Sequence, residues 1–176
     1  MDKMMTARRA RGFSLFEVMV AVVVFSIGLI GLGLLLTASI RANHVGFLHT
    51  QATFIAESIA DSMRANVIGV WQDNYDGTWD AATPAPGADC VAAACTPAQL
   101  AARDVALWGR MVGQLLPAGN GTITCTPRAG RPVPAAADLL SSPVYTGTCE
   151  ITLAWQEQTE AADSTVAGSF SWVVTP

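Results

Sequence analysis

Four cysteines, Cys90, Cys95, Cys125 and Cys149, are the residues of this chain best suited to covalent chemistry. An even set in an exported domain most simply forms disulfides, and four thiols allow three pairings. Cys90 and Cys95 lie five apart in a stretch that reads as loop, whereas Cys125 and Cys149 fall in neighbouring predicted strands. Local pairing, Cys90–Cys95 and Cys125–Cys149, is therefore expected. A four-cysteine zinc site would need two close pairs, and the second pair is too wide to be one. Asp73, Asn74, Asp76, Gly77 and Asp80 form a short acidic loop that offers oxygen ligands to a calcium ion. It lacks the ligand order and closing glutamate of an EF-hand, so a solvated turn is the better reading. His44 and His49 fall on different faces of one helix and make no metal pair. No nucleophile elbow, phosphate-binding loop or zinc-protease motif is present. Asn120-Gly121-Thr122 matches a glycosylation sequon but reads as a turn. We therefore expect no catalytic residue, metal or cofactor, and a protein that is not an enzyme.

Charge and apolar weight are spread unevenly over the elements that must position these residues. Of the 176 residues, 51% are hydrophobic and 14% charged, against about 25% charged in an average soluble domain. The formal charge of −4 argues against a nucleic-acid binder, whose footprint is basic. The hydrophobicity excludes intrinsic disorder, and the length suits one modest globular domain. Lys3, Arg8, Arg9 and Arg11 crowd the first twelve positions; without that stretch the body holds 6 basic and 13 acidic side chains. From Val18 to Leu36 run nineteen residues of which Ser26 alone is polar. As a helix they span about 28 Å, enough for a bilayer core. The basic cluster holds the start of that helix in the cytoplasm and leaves the body from about Arg41 outside. An ordinary secretory signal would have a shorter apolar region and a cleaner exit than Thr37-Ala38-Ser39-Ile40. Arg8-Arg9 invites a twin-arginine reading, which Gly12 and Glu17 fit poorly. A carboxylate at the edge of a membrane helix is costly and marks function by default, so Glu17 stands out. The plainer alternative is that it snorkels to the headgroups.

The segment Arg11-Gly12-Phe13-Ser14-Leu15-Phe16-Glu17-Val18-Met19 resembles the prepilin signature of type IV pilins. That signature is a basic leader, Gly, Phe, a small or apolar triplet, Glu and an apolar helix. In that family a membrane peptidase cuts after the glycine on the cytoplasmic face and methylates the new N-terminal phenylalanine. The resemblance implies cleavage between Gly12 and Phe13, N-methylation of Phe13, and an assembly role for Glu17. Outside lipid, an apolar stem stays buried only against other apolar stems. Glu17 then needs a cationic partner, and the family supplies the N-terminal amine of a neighbouring phenylalanine, still cationic after methylation.

Past the membrane, Leu48, Ala52, Ile55, Ile59 and Met63 step by four and three, one face of a helix. No proline interrupts Phe13 to Val70, so we read one long helix to about Asn66, ending towards Gly69. Its first half is apolar all round and its second half amphipathic. Gly28, Gly31 and Gly33 suit close helix packing, local melting, or the tolerance of bilayer helices for glycine. Trp71 to Pro97 reads as loop. Thr96 is the expected N-cap and Pro97 the first residue of a second helix to about Leu116. Leu100, Leu107, Trp108, Met111 and Leu115 would share its inner face. Alternation then marks strands around Ile123 and Cys125, over Cys149 to Trp155, and over Phe170 to Val174. Arg128–Pro143 reads as an irregular excursion and Glu157–Gly168 as a hairpin connection. Trp71, Trp79, Trp108, Trp155 and Trp172 are expected mostly in the core. The expected fold class is α+β, a long N-terminal helix packed on a C-terminal head with a second helix and an antiparallel sheet. With the resemblance this is the type IV pilin lollipop. Its parts would be a cleaved leader over 1–12, a transmembrane and filament-core half-helix over 13–40, and an amphipathic half-helix plus periplasmic head over 41–176.

The order of elements also resembles one pilin subgroup, the minor pilins of the PilV type. The match rests on Ile59-Ala60-Asp61-Ser62-Met63-Arg64-Ala65-Asn66, the Cys90/Cys95 loop, the Trp108 helix ending at Leu116-Pro117, and the strand around Trp155. It implies a low-abundance subunit that helps to initiate a type IV pilus, supporting adhesion or twitching motility. The implied partners are a prepilin peptidase, other minor pilins, the major pilin, the inner membrane and a tip adhesin, with no nucleic acid. The head would lie in the bacterial periplasm and then on the pilus outside the cell. A minor pseudopilin of a type II secretion system is the nearest alternative. A signal-anchored periplasmic binding domain or enzyme is a more distant one.

Overall fold

A helix, α1, runs from Leu15 to Ala65 in the computed structural model, which describes residues 12–84, 88–129, 134, 138, 144–158 and 165–176. The basic leader up to Arg11, most of the expected excursion Arg128–Pro143 and the middle of the Glu157–Gly168 connection lie outside the described residues. The helix begins where the Ser14 carbonyl accepts from the Glu17 and Val18 N–H groups, at 3.0 and 3.2 Å. It breaks at Asn66, whose side-chain oxygen accepts from the Gly69 N–H and caps a short helix α2, Val67–Trp71. The long helix thus stops at about Asn66 as the sequence predicts, but the ending towards Gly69 is a separate turn of helix and not its continuation. The break arises because an asparagine side chain offers the backbone a rival hydrogen bond.

Contacts divide the chain into two units, Met1–His44 and Val45–Pro176. In the first, the described residues are all exposed, and α1 is long and apolar enough there to cross a membrane. Two of its hydroxyls bond within the helix: Ser26 Oγ donates to the Val22 carbonyl at 2.7 Å and Thr37 Oγ1 to that of Leu34 at 2.8 Å. Such back-bonding removes the need for water or a second chain to satisfy them.

The second unit places the rest of α1, α2 and a third helix, α3 (Pro97–Leu115), with a four-stranded antiparallel sheet in the order β1-β2-β3-β4. The strands are β1 (Gly77–Asp80), β2 (Asn120–Pro127), β3 (Gly147–Gln158) and β4 (Thr165–Val174). The α+β class is as the sequence predicts. Leu48, Ala52, Ile55, Ile59 and Met63 of α1 are buried, and Ile123, Cys149, Ile151, Leu153 and Trp155 meet them in one core. Trp71, Trp108 and Trp155 are buried, and Trp79 and Trp172 pack against the core half-buried.

Four expectations need correction. Both ends of the Glu157–Gly168 connection are strand, because β3 runs to Gln158 and β4 starts at Thr165, pairing through Gly168. The stretch Trp71–Pro97 is not all loop, because Gly77–Asp80 pairs with Asn120–Ile123 as an edge strand. Asn120-Gly121-Thr122 is accordingly strand and not turn. The inner face of α3 is Ala101, Val105, Trp108 and Val112, while Leu107 and Leu115 stay more than two-fifths exposed. The cause lies in Gly109 and Gly113, which let the chain after β1 approach the helix backbone. A Cβ on Gly113 would come within 2.8 Å of the Ala81 Cα. Small residues therefore face inward and the leucines turn out. The start of α3 is as expected: Thr96 and Gln99 form a reciprocal capping box, with Pro97 in the first turn.

A buried polar chain ties the junction of α1 and α2 to α3. Asn66 Nδ2 donates to the Pro97 carbonyl at 2.8 Å and to the Tyr75 hydroxyl at 3.1 Å, and that hydroxyl donates to Asp104 Oδ2 at 2.8 Å. Burial pushes the Asp104 carboxyl above its ordinary value of 3.8, against the opposing pull of the Tyr75 bond and Arg103. A carboxyl whose proton is held more tightly in the folded chain adds stability as pH falls through its folded value. That gain is complete below 3.8 and absent at neutral pH. Asp104→Asn keeps an acceptor for Tyr75 and removes the titration. Urea unfolding between neutral pH and pH 3.8 is expected to show a smaller rise in stability on acidification for the variant than for the parent. Equal slopes would mean that Asp104 carries no raised value.

Candidate functional site

The amino end of α1 is built from Gly12, Phe13 and Ser14 ahead of the first turn, with Glu17 inside that turn. The peptide dipoles of a helix favour a carboxylate there, by about 0.3–1 kcal/mol at an exposed position. The spacing Ser14-x-x-Glu17 is that of a capping box. Reading the sequence for membrane patterns alone passed over this start signal. Phe13 is 84% exposed and Leu15 81% exposed, and no apolar side chain of the stem from Phe13 to Ile40 is buried. Among the described residues no cation pairs with Glu17. Among the described residues it is the one carboxylate of a stem that presents apolar surface on every side from Phe13 to Ile40. The chemistry open to a carboxylate in such an apolar surround is charge pairing with a cation.

The other predicted site residues lie in the second unit. Cys90 and Cys95 are joined, with Cα atoms 5.3 Å apart, and so are Cys125 and Cys149, at 4.0 Å. The second bond crosses from β2 to β3 at positions directly opposite in the register. Sequence reading did not anticipate what holds the flanks. Asp89 Oδ1 accepts from the Val91 and Ala92 N–H groups at 3.0 and 3.4 Å, folding the small loop before it enters the cap of α3. Asp76 accepts the Cys125 N–H with both carboxylate oxygens, at 3.1 and 3.3 Å. Burial raises the Asp76 carboxyl; the Cys125 N–H lowers it and the charge of Asp73 raises it further. Asp80 Oδ1 accepts from the Ala82 N–H at 2.9 Å, a turn. Asp76 and Asp80 of the acidic loop thus spend their carboxylates on backbone donors. Among the described residues no three His, Cys, Asp or Glu side chains gather as metal ligands. His49 meets Trp155 edge-on, with ring centroids 5.1 Å apart. Its surroundings are those of a packing residue.

Residues 7–33 match the family model described as the prokaryotic N-terminal methylation motif. No curated protein and no solved structure matches the chain. The matched span takes in Arg8, Arg9, Arg11, Gly12, Phe13, Glu17 and the apolar helix as far as Gly33. This motif is the signal of type IV pilins and pseudopilins, and it points to a structural protein. It implies processing by a prepilin peptidase and assembly with other pilins, and with the long apolar helix it fits anchorage in the inner membrane before a filament. At its amino end the chain is type IV pilin-like.

Proposed function

We propose that the chain is a minor pilin of the PilV type, stored in the inner membrane and drawn into a type IV pilus that it helps to initiate. The observation that carries this reading is the methylation motif over residues 7–33, whose described part runs into a helix with every apolar side chain from Phe13 to Ile40 exposed. Gly12 and Phe13 supply the scissile bond, Phe13 takes the methyl group, and Glu17 receives the amine of a neighbouring subunit. Residues 13–40 serve as bilayer and filament core, and residues 41–176 carry the head into the periplasm and then onto the pilus. The disulfides Cys90–Cys95 and Cys125–Cys149 suit that oxidising route. Other minor pilins, the major pilin and a tip adhesin are its partners.

Co-expression with a prepilin peptidase, followed by mass spectrometry of the mature N-terminus, is expected to yield a chain beginning at methylated Phe13. A mature chain beginning after Ala38 or Ser39 would show an ordinary secretory signal instead. Pseudopilins carry the same motif, so a minor pseudopilin of a type II secretion system is the second reading. Deletion of the gene separates them: loss of surface pili with secretion intact supports the pilin, and the reverse supports the pseudopilin.

A further inference from the structure

The two edges of the sheet are unlike. β1 is four residues long, ends in Asp80, and is followed by Ala81 lying against the glycines of α3. β4 at the other edge is ten residues long and contains no charged residue and no proline. Soluble edge strands usually carry such residues, which discourage pairing with other chains. Among the described residues nothing pairs with the outer side of β4.

The direction of the backbone groups follows from the register. The Cys125 N–H goes to Asp76, so Cys125 and Cys149 form a non-hydrogen-bonded pair between β2 and β3. Cys149 therefore turns its N–H and C=O towards β4, where it faces Val174. By alternation Val174, Trp172, Phe170 and Gly168 bond to β3. Val173, Ser171, Ser169, Ala167 and Thr165 turn theirs outward, and their exposed side chains are small enough to leave the edge open. On the inner face, Val166 is 56% exposed while Phe170 and Trp172 are only partly buried, so the apolar surface continues to the rim.

We propose that β4 pairs antiparallel with β4 of a second copy of this chain, about a two-fold axis at Ser169. In that register each outward-facing residue meets another: Thr165 opposes Val173, Ala167 opposes Ser171, and Ser169 opposes itself. On the inner face Val166 of one copy lies beside Trp172 of the other, and Gly168 beside Phe170. An exposed valine thus gains an aromatic neighbour. Phe170 faces a residue without a side chain, and no like charges meet. The ladder phase is open to any antiparallel strand; the side-chain match, small against small on the outer face and large beside small or exposed on the inner, selects a second copy as the occupant.

All four native cysteines are in disulfides, so Ser169→Cys adds a single free thiol to the full chain. In membranes treated with a short bis-maleimide, it is expected to give a cross-linked species of twice the mass of the uncross-linked chain. Thr124→Cys, exposed on the outer face of β2 and away from the edge, should label with mono-maleimide but not cross-link. In detergent, Ser169→Lys is expected to weaken self-association about fivefold by placing like charges directly opposite, and Ser169→Thr to leave it unchanged. Three results would overturn the proposal. They are full labelling at Ser169→Cys with no dimer, equal cross-linking at Thr124→Cys, and cross-linking only to a species of another mass.

Discussion

Glu17→Ala is expected to be processed at Gly12–Phe13 like the parent chain and yet to be missing from pili and from minor-pilin complexes. Glu17 lies beyond the scissile bond, so the basic leader, Gly12 and Phe13 remain readable. Removing a carboxylate from an apolar stem eases residence in the bilayer, by about 2 kcal/mol or more on insertion scales. The loss of its favourable place in the first turn of α1 is smaller, about 0.3–1 kcal/mol. The variant should therefore accumulate as a stable, membrane-held subunit. Assembly fails because the cationic amine of a neighbour would enter an apolar surround without a partner, and an unpaired buried charge costs several kcal/mol. Pull-down of candidate minor-pilin partners by the full-length variant, beside counts of surface pili, reads both halves. Parental levels of both would mean that Glu17 only snorkels to the headgroups. Glu17→Asp keeps the charge one methylene shorter and is expected to recover part of the assembly.

The largest effect on stability is expected at Trp108. Its indole Nε1 donates to the Ile55 carbonyl at 2.9 Å, which pins α3 to α1. Its ring lies over Gly121 of β2, where an added Cβ would stand 2.7 Å from Cζ3. It also meets Trp79 of β1 edge-on, with centroids 6.2 Å apart. One side chain therefore joins two helices and two strands. Trp108→Ala is expected to cost about 3–5 kcal/mol, and Gly121→Ala about 1–3 kcal/mol by overpacking the same ring. Combined, they should cost less than the sum, because the cavity left by the indole receives the new methyl. Urea unfolding of the four proteins followed by circular dichroism supplies the cycle. Strict additivity would mean that the ring and Gly121 are not coupled.

The features legible in the sequence are those with a local cause. Thr96 and Pro97 announce the start of α3 through side-chain chemistry two to three residues long, and the alternation Cys149, Ile151, Leu153, Trp155 needs only the pleat of one strand. The stripe Leu48 to Met63 repeats often enough for helical phase to be unmistakable. β1 was not legible because Gly-Thr-Trp-Asp is too short to show a period and gains its ladder from β2, forty or more residues away. The inner face of α3 was misread for a related reason. Leucines carry the strongest apolar signal, but the approach of the chain after β1 selects Gly109 and Gly113, and that approach is tertiary. At the amino end, Gly12, Phe13 and Glu17 declare themselves by residue type and order along a contiguous segment. Asp76 does not, since a carboxylate that receives the N–H of Cys125 is recognisable only once β2 lies beside it.

Ser26 gives the stem an unexpected freedom. Its hydroxyl is committed to the Val22 carbonyl, so it asks nothing of lipid or of a neighbouring chain. The stretch Val18–Leu36 can then roll about its own axis, or pass from one apolar medium to another, without a hydrogen bond being broken or made. No polar toll is charged at any rotation, and the stretch carries no preferred azimuth of its own. Orientation must be imposed from the ends, by the carboxylate above it and by the amphipathic turns below. The stem is an axle, and the residues that set its bearing lie outside its apolar length.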